Sequence, residues 1–253
     1  KEETISSRAL IFTSGSQLNI VKDLFQPKIQ KDYKQNAIVC EVLTDLHDSI
    51  TAFERFTDDG ILGVIPRKKN SWTLIYSTNF KESGYINELS KSELKDYFQN
   101  LIGSKCGGII DIKNLVSYPL KLNFYENFTN KNTCLLGDAA HTLHPIAGQS
   151  FNLSVRDCLE ITKMIKQYSS KGNINFSHIF SDYENNRKKE VQRIVRFTDF
   201  LSTFVHGRNI VKNKFISLFL LAIDSNKTLR IDVIRYLLGV NFSDKLISGM
   251  KNK

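Results

Sequence analysis

The stretch from Cys134 to Asp157, CLLGDAAHTLHPIAGQSFNLSVRD, constrains the fold more than any other part of the chain. Its apolar start, Cys134, Leu135 and Leu136, reads as a buried strand of the parallel type. Gly137-Asp138 ends that strand with a carboxylate at its tip. Two alanines and a loop containing Pro145 follow, and the small pair Ala147-Gly148 precedes a helical pattern through Leu153, Leu159, Ile161, Met164 and Ile165. Pro145 fixes φ and stiffens the turn. Ala147-Gly148-Gln149 offers backbone N–H groups at the positive end of a helix dipole. Ligands of α/β proteins lie outside the carboxyl ends of strands, close to helix N-termini, so a cofactor is expected at this turn.

The flanking sequence gives further elements. Ala9 to Lys22, ALIFTSGSQLNIVK, is an apolar strand followed by a glycine turn, with alternating polarity from Thr4 to Phe12. Ala52 to Pro66, AFERFTDDGILGVIP, and Trp72 to Thr78, WTLIYST, read as strands, and Tyr118-Pro119-Leu120 belongs to another. Turns fall at Asp58-Asp59-Gly60 and Gly107-Gly108, and a helix is expected near Ser92 to Ile102, capped by Ser90 or Ser92. Beyond Gly172 the pattern is helical. One apolar stripe there (Ile179, Phe180, Tyr183, Val191, Ile194, Val195, Phe197, Phe200, Leu201, Phe204) is expected to pack against the domain holding the Cys134–Asp157 motif. A second (Ile216, Phe219, Leu220, Ile223, then Leu237 and Leu238) suits a membrane surface or a partner subunit. The longest dense apolar run, Phe215 to Ile223, is too short to cross a bilayer.

Taken in order, these segments resemble the FAD-dependent aromatic-ring monooxygenases, and among them the ubiquinone-biosynthesis hydroxylases. The resemblance implies an α/β (α+β) fold like that of p-hydroxybenzoate hydroxylase. It would comprise a partial Rossmann-like FAD-binding domain, an inserted mixed β-sheet substrate domain and a helical C-terminal region. The implied boundaries are 1–25 and 132–168 for the FAD-binding domain, 26–131 for the substrate domain and 169–253 for the helical region. Carried onto this chain, the flavin-contacting residues are Gly137, Asp138, Ala139, Pro145, Ala147, Gly148, Gln149, Ser150 and Asn152. Asp138 would accept from a ribityl or ribose hydroxyl. The implied reaction is reduction of FAD by NAD(P)H, addition of O2 and hydroxylation of a polyprenyl phenol through a flavin hydroperoxide. No side chain need act as a nucleophile, and no catalytic acid or base is assigned. Two alternatives stand beside it: a hydroxylase of the same fold acting on a soluble aromatic, and a non-catalytic member that scaffolds a biosynthetic complex.

Several residues depart from the family pattern. No G-x-G-x-x-G occurs among the thirteen glycines, so the loop for the ADP half of FAD is not in this sequence; the chain is expected to be N-terminally truncated and to bind FAD weakly. Ser14 stands where the family has aspartate, and Lys22 is a candidate replacement for an arginine. Ser150 and Ser154 stand where glycine is usual, implying strain or a narrowed space. His141 and His144 lack further metal ligands nearby and are expected to line the loop or bond its backbone, and no metal site is expected. Glu54 and Arg55 are read either as a salt-bridged sheet position or as substrate-facing.

Composition adds the compartment. The net charge is +9, yet basic residues are interspersed with acids, and Arg187-Lys188-Lys189, with Glu184 and Glu190, reads as a solvated helix face rather than a nucleic-acid surface. The four cysteines are widely spaced, with Cys134 and Cys158 expected to pack as small hydrophobes. A reducing compartment follows. The chain is therefore expected to be cytoplasmic, at most peripheral at the inner face of the membrane or in a ubiquinone-biosynthesis complex.

Overall fold

The structure, a computed structural model, describes residues 4–15, 19–46, 50–170, 172, 174–205 and 210–238. The chain opens with β1 (Leu10–Phe12) and α1 (Asn19–Leu24), then runs through β2 (Ile29–Thr44), β3 (Phe53–Phe56), β4 (Gly60–Pro66) and β5 (Ser71–Asn79). Two helices follow, α2 (Phe80–Glu88) and α3 (Lys91–Ile102), and then β6 (Ile109–Phe124), β7 (Thr129–Asn130), β8 (Thr133–Leu135) and β9 (His141–Thr142). Four helices complete the described chain: α4 (Gln149–Ser169), α5 (Phe176–Val205), α6 (Ile210–Ser225) and α7 (Lys227–Leu238).

These strands form a six-stranded sheet, β3-β4-β5-β2-β6-β9, and a three-stranded sheet, β1-β8-β7. Every pairing in the larger sheet is antiparallel. The parallel ladder is β1 on β8, with Leu10 opposite Thr133 and Phe12 opposite Leu135. The mixed substrate sheet expected from the sequence is thus an antiparallel sheet beside a small one that holds the parallel pair. Within the larger sheet β3–β4 and β4–β5 are joined by short turns and have to run antiparallel, whereas β1 and β8 are separated by a long crossover. The strand expected over Thr4 to Phe12 is cut to Leu10–Phe12, because only three residues of β8 are available to pair with it.

The larger sheet has two different faces. Ile38, Cys40 and Val42 of β2, Leu62 and Val64 of β4 and Trp72, Leu74 and Tyr76 of β5 point one way and are buried under Ile86 of α2 and Leu94, Phe98 and Ile102 of α3. Helix α2 was not read from the sequence. Asn79 caps it, accepting the Glu82 N–H at 2.9 Å. Helix α3 begins one residue before the expected start, behind a reciprocal capping box: Ser90 Oγ accepts from Glu93 N, and Glu93 Oε2 accepts from Ser90 N at 2.8 Å.

Strands β2 and β6 are 16 residues each, not short, and they carry the chain from the helix-covered sheet to the base of α4. Their ladder slips between Asp32 and Asn36, where Lys34 has a φ of 57° and its N–H donates to Asp32 Oδ1 at 2.8 Å. Pro119 pairs with Asn36 at this irregularity, where a residue without an N–H does the least harm to a ladder.

Two further cores hold the rest. Cys134, Leu135 and Leu136 pack with Val21, Phe25, Ile161, Met164, Ile179, Phe180 and Tyr183. Leu122, Phe124, Leu143 and Leu153 pack with Val191, Ile194 and Val195 of α5. The apolar stripe of α5 is therefore spent on the motif-bearing core as far as Val195, while Phe200 is exposed and stacks on Phe204 at 5.4 Å. Cys134 is buried as expected, but Cys158 is exposed, because it lies on the outer side of α4 beside Val155 and Leu159. On α6, Leu218, Phe219, Leu220 and Leu221 are all exposed. The side chains of Lys22, Phe215, Leu237 and Leu238 lie outside the described residues. Among the described residues no helix is long and apolar enough to cross a membrane.

Candidate functional site

The site is assembled where β8 stops. Gly137 turns the chain with a φ of 61° into a 3-10 turn (Gly137–Ala139), and a Cβ there would meet Ser154 Oγ at 3.0 Å. Glycine is thus required twice over, by its backbone and by the closeness of α4. The turn leaves Asp138 exposed and sends Ala139 and Ala140 into the core with Leu135 and Ile161, so their small size serves packing. Asp138 Oδ1 accepts the Ser150 hydroxyl at 2.7 Å, and Ser154 Oγ donates to Ser150 O at 2.9 Å. Both serines are helical, and neither is among the residues with positive φ. The strain expected from replacing glycine there is absent, since the α4 backbone at these positions is one that any L-residue adopts.

The loop into α4 is held from several sides. Ile146 N donates to His144 Nδ1 at 3.2 Å, which leaves Nε2 of the neutral ring to donate to Gln35 Oε1 of β2 at 3.0 Å. Tyr33 meets the same ring edge-on at 5.1 Å. Ala147 and Gly148 are both left-handed, with φ of 58° each, and Gly148 N donates back to Pro145 O at 3.1 Å. The Gln149 side chain is buried and its Nε2 donates to Ala147 O at 3.1 Å, so it braces the turn from below. Asn152 is half-buried, and its carbonyl accepts from Arg156 Nε at 3.1 Å. No side chain caps α4, leaving its first-turn N–H groups to other acceptors.

Facing this turn is the sheet surface opposite α2 and α3. Together they border an open cavity of about 350 Å³, lined by Glu54, Ile61, Gly63, Ile75, Ser77, Pro145, Ile146, Ala147 and Gly148, among others. Strand β3 alternates strictly. Arg55, on the helix side, donates to Leu101 O at 2.6 Å, and Glu54, on the cavity side, accepts the Ala147 N–H at 3.3 Å. The salt-bridged reading of this pair is not what forms: the two side chains sit on opposite faces of the strand. Desolvation around the Glu54 carboxyl pushes it above the usual carboxylate range, against the Ala147 N–H, which lowers it.

Behind the turn lies a buried polar cluster. His141 Nε2 and Asp157 Oδ2 are 2.5 Å apart, Arg187 Nε donates to Asp157 Oδ1 at 2.8 Å, and Arg187 also pairs with Glu190. Arg156 joins Glu190 at 2.6 Å. Burial alone would raise the Asp157 carboxyl. The His141 hydrogen bond and charge, with the Arg187 guanidinium, outweigh it and hold the group below its usual value. Arg187 and Glu190 are buried, which corrects the solvated-face reading of this helix. Glu184 is engaged too, accepting from Phe128 N at 2.7 Å and Thr129 N at 2.9 Å. A buried carboxylate on α4 and free strand-edge amides call for charged partners, and α5 supplies them. Among the described residues no group of His, Cys, Asp and Glu could hold a metal.

Over residues 3–198 the sequence matches the FAD binding domain family. The chain belongs to that family. It is 25% identical to the mitochondrial ubiquinone biosynthesis monooxygenase COQ6 of Dictyostelium discoideum, over 83% of this chain and 51% of that protein. It is 24% identical to the ubiquinone hydroxylase UbiM of Neisseria meningitidis, over 67% of this chain and 36% of that protein. The motif-based resemblance to ubiquinone hydroxylases agrees with these relatives. The chain spans about half the length, or less, of the curated relatives it matches. In three dimensions it is similar to the Diels-Alderase PyrE3, with a TM-score of 0.70 at 16% identity over 94% of this chain and 51% of that one. It is also similar to the p-nitrophenol 4-monooxygenase PnpA of Pseudomonas putida, with a TM-score of 0.69 at 15% identity over 93% and 59%. These likenesses carry the fold.

For a member of the FAD binding domain family the residues present fit the ring end of a flavin. The Cβ position of Gly148 has nothing within 4 Å, so the turn offers bare backbone beside uncapped helix N–H groups, the donors that a flavin carbonyl or an anionic ring needs. Asp138 is an exposed acceptor suited to a sugar-like hydroxyl. Of the residues carried over from the family, Asp138, Pro145, Ala147, Gly148 and Ser150 gather on the open side. Gly137, Ala139 and Gln149 are buried supports. The contributions of Gln35 and of the Arg187–Glu190 pair were not foreseen.

Proposed function

We propose that this chain forms the flavin-ring and substrate side of an FAD-dependent aromatic-ring monooxygenase that hydroxylates a polyprenyl phenol in ubiquinone biosynthesis, with NAD(P)H as reductant. In this reading residues 1–25 and 132–168 belong to the flavin-binding part, residues 26–131 to the substrate part and residues 169–253 to the helical part. The observation that carries it is the pair of left-handed residues, Ala147 and Gly148, opening an uncapped helix directly against a mostly apolar cavity. Bound FAD would supply the activated oxygen. The chain's own residues do the rest. Asp138, fixed by Ser150, accepts a cofactor hydroxyl. The uncapped first-turn N–H groups of α4, beginning at Gln149, donate to the ring end. Ile61, Ile75 and Ile146 exclude water from the reacting ring.

Apolar side chains run on from this cavity toward α6, the direction in which an apolar tail would lie. Ile61 and Ile146 pack with Phe56, Leu201 and Ile216, and Ile216 leads onto α6 with its exposed Leu218 to Leu221. That surface supports a cytoplasmic protein held peripherally at the membrane. The intact protein should co-sediment with anionic liposomes, and the absence of binding at low salt would remove the membrane from the proposal. The function itself is tested by incubating FAD, NAD(P)H and a short-prenyl phenol with the intact protein. A hydroxylated product and phenol-stimulated oxygen uptake are expected. No flavin binding, or reductant oxidation that ignores the phenol, would overturn the reading.

A further inference from the structure

The cavity contains one carboxylate in an otherwise nearly apolar lining, and its surroundings are specific. Glu54 lies on the cavity face of β3, directly opposite Gly63 in the β3–β4 register, and Gly63 in turn lies opposite Ile75. A Cβ on Gly63 would touch only Ile75, at 3.7 Å and 3.9 Å, so the backbone could accept a side chain there and the sequence leaves none. The result is a flat shelf beside the carboxyl, bounded by Ile61, Ile75 and Ile146, of a size to take a single aromatic ring. Arg55, the nearest cation in sequence, points to the other face of the strand and is committed to Leu101 O. Lys105 stacks over Phe53 at 5.5 Å, again from the helix side.

Resting on the aromatic-hydroxylase reading, we propose that Glu54 accepts the hydrogen bond of the substrate's ring hydroxyl, selecting a neutral phenol and disfavouring an aromatic acid. A carboxylate has about four lone-pair sites, and the one bond it receives from the described residues, from Ala147 N at 3.3 Å, leaves the others for a ligand. A phenol O–H donated to a carboxylate makes a short, charge-assisted bond. A benzoate-type ligand would bring a second negative charge to the same point, and among the described residues lining the cavity there is no cation to offset it. The same bond has a chemical consequence, since drawing on the O–H raises electron density on the ring, which favours attack by an electrophilic oxygen. Glu54 therefore both orients the ring, hydroxyl toward β3, and prepares it. Its contact with Ala147 ties the substrate end of the cavity to the turn that opens α4.

The test is equilibrium binding of three probes, 4-methylphenol, its methyl ether 4-methylanisole and 4-methylbenzoate, to the intact protein by ligand-observed NMR. Wild type should prefer the phenol over the ether by about tenfold or more, the scale of a hydrogen bond to a charged group, and bind the benzoate weakest. Glu54→Leu should bring the phenol and the ether to within about twofold of each other and strengthen the benzoate. Glu54→Gln, which keeps an acceptor oxygen, should retain part of the phenol preference; it also guards against a folding artefact, checked by the thermal melt of each variant. If phenol and ether bind equally well to wild type, or their ratio is unchanged in a folded Glu54→Leu protein, the role of Glu54 is wrong while the aromatic cavity stands. If none of the three probes binds, the hydroxylase reading fails, and this inference with it.

Discussion

Where α4 begins, the backbone passes through two left-handed residues, no side chain caps the helix, and the groups on offer are exposed N–H donors and the Asp138 carboxylate. Two turns further along the same helix, Asp157 is buried against His141 and Arg187, with Glu190 and Arg156 completing the cluster. Both regions belong to one short stretch of sequence, and both are polar. The first leaves the first-turn N–H groups of α4 uncapped beside the cavity, whereas the second pairs its carboxylates with buried guanidinium groups. The contrast teaches that a motif associated with a cofactor need not contact it throughout; its second half holds α4 against α5 so that its first half stays in place.

If that division is right, the buried end should dominate stability. Asp157→Ala leaves His141 and Arg187 buried without their common partner and should cost about 3–5 kcal/mol, read from urea unfolding. An effect below about 1 kcal/mol would erase the distinction between the two ends. Acid should reveal the same group. Because the Asp157 carboxyl is held below its usual value in the folded protein, its contribution is complete above the unfolded-state value near 4 and is lost as pH falls through the lower folded one. The stability gap between wild type and Asp157→Asn should therefore shrink in strong acid.

The two glycines give a finer test. Gly137→Ala meets both a left-handed backbone and the Ser154 side chain, whereas Gly148→Ala meets only the backbone. The left-handed conformation alone costs about 1–2 kcal/mol, so Gly137→Ala should exceed Gly148→Ala. Adding Ser154→Ala, which removes the Oγ that lies 3.0 Å away, should recover part of the excess at position 137 and nothing at position 148. Equal penalties at the two sites would show that the crowding at Gly137 is relieved by small movements of α4.

The legible parts of this molecule are those whose signals are local. Cys134 to Leu136 as a buried parallel strand, the Gly137 turn and the helix after Gly148 could be read because apolar run, turn and helix start follow one another within a few residues. The illegible parts depend on distant partners. Arg187 lies 30 positions from Asp157, and Arg187-Lys188-Lys189 read as a solvated face because sequence shows the charges and not the buried carboxylate awaiting one of them. Glu54 lies 93 positions from Ala147, and its neighbour Arg55 offered a nearer, mistaken partner. Helix α2 was missed for a different reason, since Phe80–Glu88 buries only Ser83 and Ile86 and so shows almost no apolar periodicity.

The long ladder between β2 and β6 sets how the cavity can breathe. Sixteen residues of strand reach about 50 Å when extended, and they join the two walls of the cleft as a beam rather than a tether. The ladder slips in three places, and at the one between Asp32 and Asn36, opposite Pro119, Tyr33 and Gln35 grip the His144 ring. This stretch of strand and the loop ahead of Pro145 are thereby fastened to one imidazole, so neither can shift without the other.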